Sequence, residues 1–143
     1  SMRMAVLSVL LAASTCPAAA SGGIGCTAED EAVTLSINGG ISRGMGSALF
    51  ALSASVEIRD AAVAADLAKL DFAREHAPQY WLDGGALKLR LYREREASAT
   101  HGYVEIAIDA MPVGDGYAGD YAVTVHDDGA QASFAGAVSC FVE

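Results

Sequence analysis

Apolar and polar residues alternate one by one along several stretches of this chain, and that alternation restricts what the chain can fold into. Successive side chains of a β-strand point to opposite faces, so a period of two indicates a strand with one buried face. The segment 47–58, SALFALSASVEI, predicts such a strand, with Phe50, Leu52 and Val56 among its inward residues. Similar alternation recurs in the runs 32–37, 87–91, 104–108, 121–125 and 134–142. We therefore predict a mainly β fold, an antiparallel β-sandwich or small closed barrel of six to eight strands.

One segment departs from this alternation and predicts an inserted helix near residues 60–76, DAAVAADLAKLDFAREH. Its apolar residues recur at helical spacing and it is rich in alanine, the best helix former. Asp60 is suited to cap the first turn, and Pro78 follows shortly after the end. Phe72 does not fit the helical face, so a short strand over residues 69–72 remains the alternative.

The first twenty residues have the composition of a secretory signal. Arg3 supplies a positive charge, Met4–Ala13 form an apolar run, and small residues lead to a cleavage position after Ala20. The run is about half of the roughly twenty residues that a membrane-spanning helix needs. We predict a signal peptide at 1–20, with Ser1 interpreted as a residue added ahead of the first methionine. The protein is then periplasmic or secreted.

The domain that remains, residues 21–143, has two cysteines near its opposite ends. Cys26 and Cys140 are predicted to form a disulfide, because paired cysteines in an exported domain are usually oxidised. Cys16 belongs to the predicted signal peptide. The alternative use of a cysteine, lipid attachment, fits poorly, since neither Cys16 nor Cys26 has a large apolar residue three positions before it, as a lipid-attachment motif requires.

Charge limits the partners that the chain is expected to bind. The formal net charge is −9, and hydrophobic residues make up 52% of the chain, which argues against disorder. An acidic protein repels phosphate backbones, so no nucleic acid partner is expected. No membrane span and no cofactor are predicted either. A protein or a cell-envelope component is the predicted partner.

The segment Gln79–Glu96, QYWLDGGALKLRLYRERE, predicts a hairpin. An Asp-Gly-Gly turn at 83–85 joins two runs, and glycine tolerates the positive φ that tight turns require. Trp81 is expected in the core. If the second run pairs with the strand at 102–109, cross-strand ion pairs become available. Depending on the register, the base that lies opposite an acid is either Arg90, facing Glu105, or Lys88, facing Asp109.

The same hairpin carries the candidate binding residues. Its inward leucines leave basic and aromatic side chains on the outer face of the sheet, where tyrosine and arginine are typical of protein contact surfaces. The predicted contact face consists of Lys88, Arg90, Tyr92, Arg93 and Tyr103. The competing interpretation is an ordinary solvated sheet face whose charges pair locally.

Catalytic and metal-binding motifs are missing from the sequence, so we do not expect an enzyme. The three histidines lie in separate regions, and both cysteines of the domain are assigned to the disulfide. A weak calcium candidate comes from the acidic side chains of two loops and their flanks. It consists of Asp115, Asp120, Asp127 and Asp128.

Three functions from different classes follow from these observations. The first is a non-enzymatic exported domain that binds a protein or envelope component through its Tyr/Arg face. The second is a small barrel that carries an apolar ligand in its interior. The third is a small hydrolase or lyase that uses isolated histidines and aspartates, with His101 and the neighbours His126 and Asp127 as candidates.

Overall fold

The computed structural model describes residues 21–42, 46–83, 85–96 and 100–143. The predicted signal peptide, residues 1–20, lies outside these ranges. Within them the chain forms nine strands, one short helix and one 3-10 turn. The strands are β1 (Ser21–Glu29), β2 (Val33–Ser42), β3 (Ala48–Ile58), β4 (Lys69–Ala73), β5 (Gln79–Leu82), β6 (Leu87–Glu94), β7 (Gly102–Val113), β8 (Gly116–Asp127) and β9 (Ala130–Val142). The helix α1 is Ala65–Ala68, and the 3-10 turn is Arg74–His76.

All nine described strands belong to one antiparallel sheet, in the order β4-β3-β2-β1-β9-β8-β7-β6-β5. The mainly β, antiparallel prediction is therefore confirmed. The number of strands is higher than the predicted six to eight, because the glycine-rich start of the domain and the segment after α1 also form strands. The sheet does not close by pairing between β4 and β5, so neither the sandwich nor the closed barrel is confirmed.

One face of the curled sheet forms a single apolar core. The alternation seen in the sequence determines which residues face it, and the three leucines of β6, Leu87, Leu89 and Leu91, are buried as predicted. The inward residues of β7 and β8 pack with them, and Tyr121 is among the largest fully buried side chains. Burial of this apolar surface is the main favourable term in folding. None of the helices in the described ranges is long and apolar enough to cross a bilayer.

The helix predicted over residues 60–76 is wrong for most of its length. Only Ala65–Ala68 are α-helical, and Arg74–His76 form the 3-10 turn. Between them, Lys69–Ala73 form the edge strand β4, which pairs with β3. Leu70 and Phe72 both face the core and alternate with the exposed Lys69, Asp71 and Ala73, so long-range pairing outweighs the helix propensity of the alanines. Asp60 does not cap a helix, because its carboxylate accepts the amide of Ala62 at 2.8 Å in a local turn.

A β-bulge reverses the predicted direction of Phe50. The register between β2 and β3 shifts between Gly40 and Ile41, so that Gly40 faces Ala51, Ile41 faces Leu49, and Phe50 is the extra residue. Phe50 therefore points outward and is exposed, although the alternation placed it inside. Its ring covers Gly40, where a Cβ atom would lie 2.7 Å from the Phe50 Cζ atom.

The predicted disulfide between Cys26 and Cys140 is present, and its position explains why it matters. The two cysteines face each other directly in the β1–β9 ladder, with their Cα atoms 4.1 Å apart. This ladder is short, running from Ile24–Val142 to Thr27–Ser139, and it joins the half of the sheet formed by β1–β4 to the half formed by β5–β9. Both cysteines are buried on the core face. The disulfide thus links the two halves at their shared seam.

A buried tyrosine joins the core to the turn between β1 and β2. The Tyr121 hydroxyl donates a hydrogen bond to the Asp30 carboxylate, and the Asp30 Oδ1 atom accepts the amides of Ala32 and Val33 at 2.9 Å each. The bond from Tyr121 is the main cause that lowers the pKa of Asp30, and burial is the main cause that raises the pKa of Tyr121. Gly136 leaves room for this contact, since a Cβ atom there would lie 2.5 Å from Asp30 Oδ2.

Candidate contact face on the outer side of strands β5 to β8

The hairpin predicted at Gln79–Glu96 is formed by β5 and β6. Its turn is held by Asp83, whose Oδ1 atom accepts the amides of Gly85 and Ala86 at 2.9 Å each. These hydrogen bonds are the largest causes that lower the pKa of Asp83. Trp81 lies on the outer face opposite Lys88 and is 57% exposed, so its predicted place in the core is wrong. The reason is that Tyr80 and Leu82, its neighbours in β5, take the inward positions.

Both candidate ion pairs form in one register. Lys88 is directly opposite Asp109, and its Nζ atom lies 4.0 Å from Asp109 Oδ2. Arg90 is opposite Ala107, and its Nε atom reaches diagonally to Glu105 Oε1 at 3.8 Å. The basic members of both pairs are exposed, and ion pairs of this kind contribute about 0–1 kcal/mol. They are weak enough to exchange partners without loss of the fold.

A row of aromatic rings crosses the same face, from β6 to the end of β8. The rings of Tyr92 and Tyr103 have centroids 5.1 Å apart, and Tyr103 is stacked on His126 with centroids 5.1 Å apart and planes 9° apart. His101 adjoins both, 5.9 Å from Tyr103 and 6.0 Å from His126. We call these four residues the aromatic row. The Tyr92 hydroxyl donates to Glu94 Oε1 at 3.0 Å, and burial followed by this bond raises the pKa of Tyr92.

The two histidines of the aromatic row were not predicted to meet. His101 precedes β7 and His126 is near the end of β8, and they come together because Tyr103 faces His126 in the β7–β8 register. The signal in the sequence was the outward position of His126 in the alternation of β8. Only the register between the strands, which a single sequence does not specify, converts that position into a contact.

Arg93, the fifth residue of the predicted contact face, lies apart from the other four. Its guanidinium donates to the main-chain oxygen of Asp71 in β4 and lies 3.5 Å from Glu96 Oε1. This bond covers part of the free edge of β4 at the place where the sheet remains open. The structure thus places Lys88, Arg90, Tyr92 and Tyr103 on one outer face, where Tyr92 contacts Tyr103 and Lys88 lies toward the other end of β6. It assigns Arg93 a bond at the sheet opening.

Arg95 ties the ends of several elements together beside the aromatic row. Its guanidinium donates to Asp66 Oδ2 at 2.7 Å, to Asp127 Oδ1 at 2.9 Å and to Thr100 Oγ1 at 2.7 Å. The two carboxylates raise the pKa of Arg95, with Asp127 the larger cause, and the same bond is the largest cause that lowers the pKa of Asp127. This network fixes α1 and the β8–β9 turn around the row.

The four aspartates of the calcium candidate are not brought together. Asp115 precedes the first residue of β8, whereas Asp127 and Asp128 are at the opposite end of that strand, whose twelve residues span roughly 35–40 Å. Asp120 lies between them, opposite Asp109. Among the residues that the structure describes, no three histidine, cysteine, aspartate or glutamate side chains are placed to hold a metal ion.

Two open concavities flank β5. One, of about 560 Å³, is on the outer side, with Trp81, Lys88 and Arg90 in its lining. The other, of about 640 Å³, lies at the sheet opening between the start of β3 and β5, with Leu49 and Tyr80 in its lining. The Tyr80 hydroxyl is buried and has no hydrogen-bond partner among the described residues. Burial is the main cause that raises the pKa of Tyr80.

Comparison of the chain with protein-family models, with curated proteins and with solved structures finds no match. Any function must therefore be argued from the geometry above.

Proposed function

We propose that the protein is an exported, non-enzymatic binding domain that holds a protein or cell-envelope component against the outer face of β5 to β8. The observation that carries the proposal is the aromatic row, which lies beside the exchangeable pairs Lys88–Asp109 and Arg90–Glu105. Aromatic and arginine side chains are enriched at protein contact surfaces, where they bury large areas.

The packing of the row supports binding at a low entropic cost. Each of its rings touches another ring, and Tyr92 is also held by its hydroxyl bond to Glu94. Side chains that are ordered before binding lose little rotamer freedom when a partner arrives. The row lies on paired strands, which hold its members in fixed relative positions.

The ion pairs support selectivity for a polar, charged partner. An incoming carboxylate takes the place of Glu105 on Arg90, and an incoming base takes the place of Arg90 on Glu105. Because the present Arg90–Glu105 separation is 3.8 Å, little energy is given up in the exchange. Complementary charges of this kind favour the correct partner and its orientation.

The proposal is tested by partner capture with two matched double variants. Arg90→Ala with Tyr103→Ala removes a charge and a ring from the face, whereas Lys69→Ala with Ser55→Ala removes a charge and a polar group from exposed positions on β3 and β4. Proteins and envelope fragments captured by the unaltered protein should be lost with the first variant and kept with the second. Thermal melts confirm that both variants are folded. Equal capture by the two variants would contradict the proposal.

A ligand carrier is the second candidate, and the concavity at the sheet opening favours it. Its lining is largely apolar, and the buried Tyr80 hydroxyl is available to bond a polar group of a ligand. Such a ligand would enter from the edge rather than fill the interior, where the inward side chains pack into one core. Native mass spectrometry of freshly purified protein tests this, and Tyr80→Phe should weaken retention of any ligand found.

The hydrolase or lyase receives less support from the arrangement of its residues. Asp127, which follows His126, accepts its hydrogen bond from Arg95 rather than from a histidine. His126 itself is stacked on Tyr103. A catalytic histidine is often oriented by a carboxylate, and Asp127, the candidate here, is already bonded to an arginine.

A further inference from the structure

Trp81 is the only tryptophan of the chain, and 57% of its surface is exposed on the outer face of β5. It lies opposite Lys88, near the start of β6, whereas the aromatic row begins at Tyr92, near the end of that strand. A single exposed apolar side chain is ordinary on a protein surface. The surroundings of Trp81 therefore determine what it can bind.

The ring of Trp81 is held in place through its polar edge. The amides of Gly85 and Ala86, followed by a hydrogen bond from the Trp81 side chain, lower the pKa of the Asp83 carboxyl. Asp83 is itself fixed, because it accepts those two amides at 2.9 Å each. The N–H group is the only polar group of an indole, so the rest of the ring is apolar. Trp81 thus presents an ordered apolar ring, which loses little freedom when a ligand covers it.

The outer concavity beside β5 places Trp81 among polar side chains. Two rows of directly facing residues cross β5, β6 and β7 in its lining: Trp81–Lys88–Asp109 and Gln79–Arg90–Ala107. Neighbouring strands are roughly 4.8 Å apart, so each row spans about 10 Å, which is the length of a disaccharide. The volume of about 560 Å³ is within the range of small-molecule sites. We call this site the Trp81 concavity.

The charged groups at the Trp81 concavity provide hydrogen-bond donors and acceptors side by side. The Lys88 Nζ and Asp109 Oδ2 atoms are 4.0 Å apart, and the Arg90 Nε and Glu105 Oε1 atoms are 3.8 Å apart. Both separations exceed a hydrogen bond, so each base keeps N–H donors and each acid keeps lone pairs for a third group. Gln79 adds an amide that both donates and accepts. A ligand with neighbouring hydroxyl groups can therefore bond both members of one pair.

We propose that the Trp81 concavity binds a neutral polysaccharide of pyranose sugars, with one sugar ring lying on the ring of Trp81. A pyranose has an apolar face of C–H groups, which packs on an aromatic ring, and a rim of hydroxyl groups that donate and accept. The concavity has the complementary arrangement, an apolar ring bordered by Gln79 and by the Lys88–Asp109 pair. A protein occupant fits less well, because lysine and aspartate are depleted from the centre of protein contacts.

The charges of the site favour a neutral sugar over an acidic one. Lys88 and Arg90 are each answered by a carboxylate, so the site has no surplus of positive charge from these pairs. The net charge of the whole chain, −9, repels an acidic polysaccharide at longer range. The inference rests on the proposed function for the use of the outer face, and it deepens that function by naming a polysaccharide as the envelope component at the β5 end of the face.

Affinity electrophoresis tests the proposal with defined probes. The full 143-residue chain is run in native gels that contain laminarin, mannan, dextran or hydroxyethyl cellulose as neutral polysaccharides, or polygalacturonate as an acidic one. At least one neutral polysaccharide should retard the protein more than polygalacturonate does. Retardation by none of the neutral polysaccharides overturns the proposal and leaves a protein as the occupant of the concavity. Stronger retardation by polygalacturonate than by all of them overturns it as well.

The fluorescence of Trp81 shows whether the retarding polysaccharide lies on its ring, because no other tryptophan contributes. Titration with that polysaccharide should shift the Trp81 emission to shorter wavelength and protect it from quenching by acrylamide. Retardation that leaves both the emission and the quenching unchanged overturns the proposal, since the sugar would then bind elsewhere on the protein.

Substitution of Trp81 separates stacking from other causes of retardation. Trp81→Ala should weaken binding on the order of tenfold or more, as loss of a tryptophan at the centre of a contact does, and Trp81→Tyr should keep most of the binding. Phe50→Ala is the matched control, because it removes a similarly exposed ring, 59% exposed, from outside the concavity. Thermal melts confirm that the variants are folded. Equal retardation of Trp81→Ala and Phe50→Ala overturns the proposal.

Tyr103→Ala distinguishes a failure of this inference from a failure of the proposed function. Tyr103 belongs to the aromatic row and is outside the lining of the Trp81 concavity, so its loss should leave retardation by the polysaccharide unchanged. The proposed function fails if Arg90→Ala with Tyr103→Ala changes no partner capture. The present inference fails if Trp81→Ala changes no retardation, whatever the result of the capture experiment.

Discussion

Removal of the Cys26–Cys140 disulfide should destabilise the protein more than any substitution on its surface. The bond links residues with a sequence separation of 114. By restricting the unfolded chain, a loop of that length stabilises the folded protein by about 4–5 kcal/mol. Small domains are stable by only about 5–15 kcal/mol, so the loss is a large share of the total. The free energy of unfolding of a small domain falls by about 2 kcal/mol per molar urea, so the urea midpoint of unfolding should fall by roughly 2 M.

The position of the bond predicts which part of the sheet opens first when the disulfide is absent. Four facing residue pairs of the β1–β9 ladder, flanked by the reciprocal bonds of Gly23 and Glu143, join the two halves of the sheet at this seam. Without the disulfide, the amides of β1 and β9 should exchange with solvent faster than those of the β7–β8 hairpin. Hydrogen exchange followed by mass spectrometry resolves the two regions.

The assay compares the double variant Cys26→Ala with Cys140→Ala against the unaltered oxidised protein in urea. Cys16→Ala is the matched control, because that cysteine precedes the domain and its loss should not change the midpoint. A midpoint shift of less than about 0.5 M in the double variant would refute the reasoning. So would uniform acceleration of exchange along the chain.

Three further predictions concern the core and the outer face. Tyr121→Phe should lower the free energy of unfolding by roughly 1 kcal/mol in urea titrations, because a hydrogen bond of a buried hydroxyl is lost. Because the pKa of Asp30 is lowered in the folded protein, its ionised form adds stability above about pH 4, and this stability is lost as the pH falls further. In the Phe variant the melting temperature should therefore fall less steeply with decreasing pH. Gly136→Ala should cost about 1–3 kcal/mol in urea titrations, since its Cβ atom would lie 2.8 Å from Tyr121 Cε1. Lys88→Met should change the free energy of unfolding by less than about 1 kcal/mol, because the ion pair of Lys88 with Asp109 is exposed. A larger loss of stability would contradict this prediction.

The parts of the fold that the sequence predicted are those where alternation and burial agree. Leu87, Leu89 and Leu91 alternate with charged or polar residues, so both their strand and their inward direction followed from the pattern. The pattern offered the two ion pairs of the outer face as alternatives, and the observed register forms both, one directly and one diagonally. The disulfide was predicted because only two cysteines remain in the domain.

The parts that were missed depend on pairing or on backbone geometry. The strand β1 begins with Ser21–Gly25, whose small residues carry little alternation, and its two neighbours β2 and β9 define it. Phe50 turned outward because of a bulge that no local pattern records. Lys69–Ala73 became a strand because β3 offered a free edge. The contact of His126 with Tyr103 needed the register between two strands.

Site-specific photocrosslinking tests the proposed binding face most directly. A photoreactive phenylalanine analogue is placed at Tyr103, on the aromatic row, or at Ser55, on the outer face of β3, and each protein is irradiated in the cells that make it. The account predicts a crosslinked adduct of defined mass from position 103, and none from position 55. No adduct at 103, or the same adducts at both positions, would contradict it.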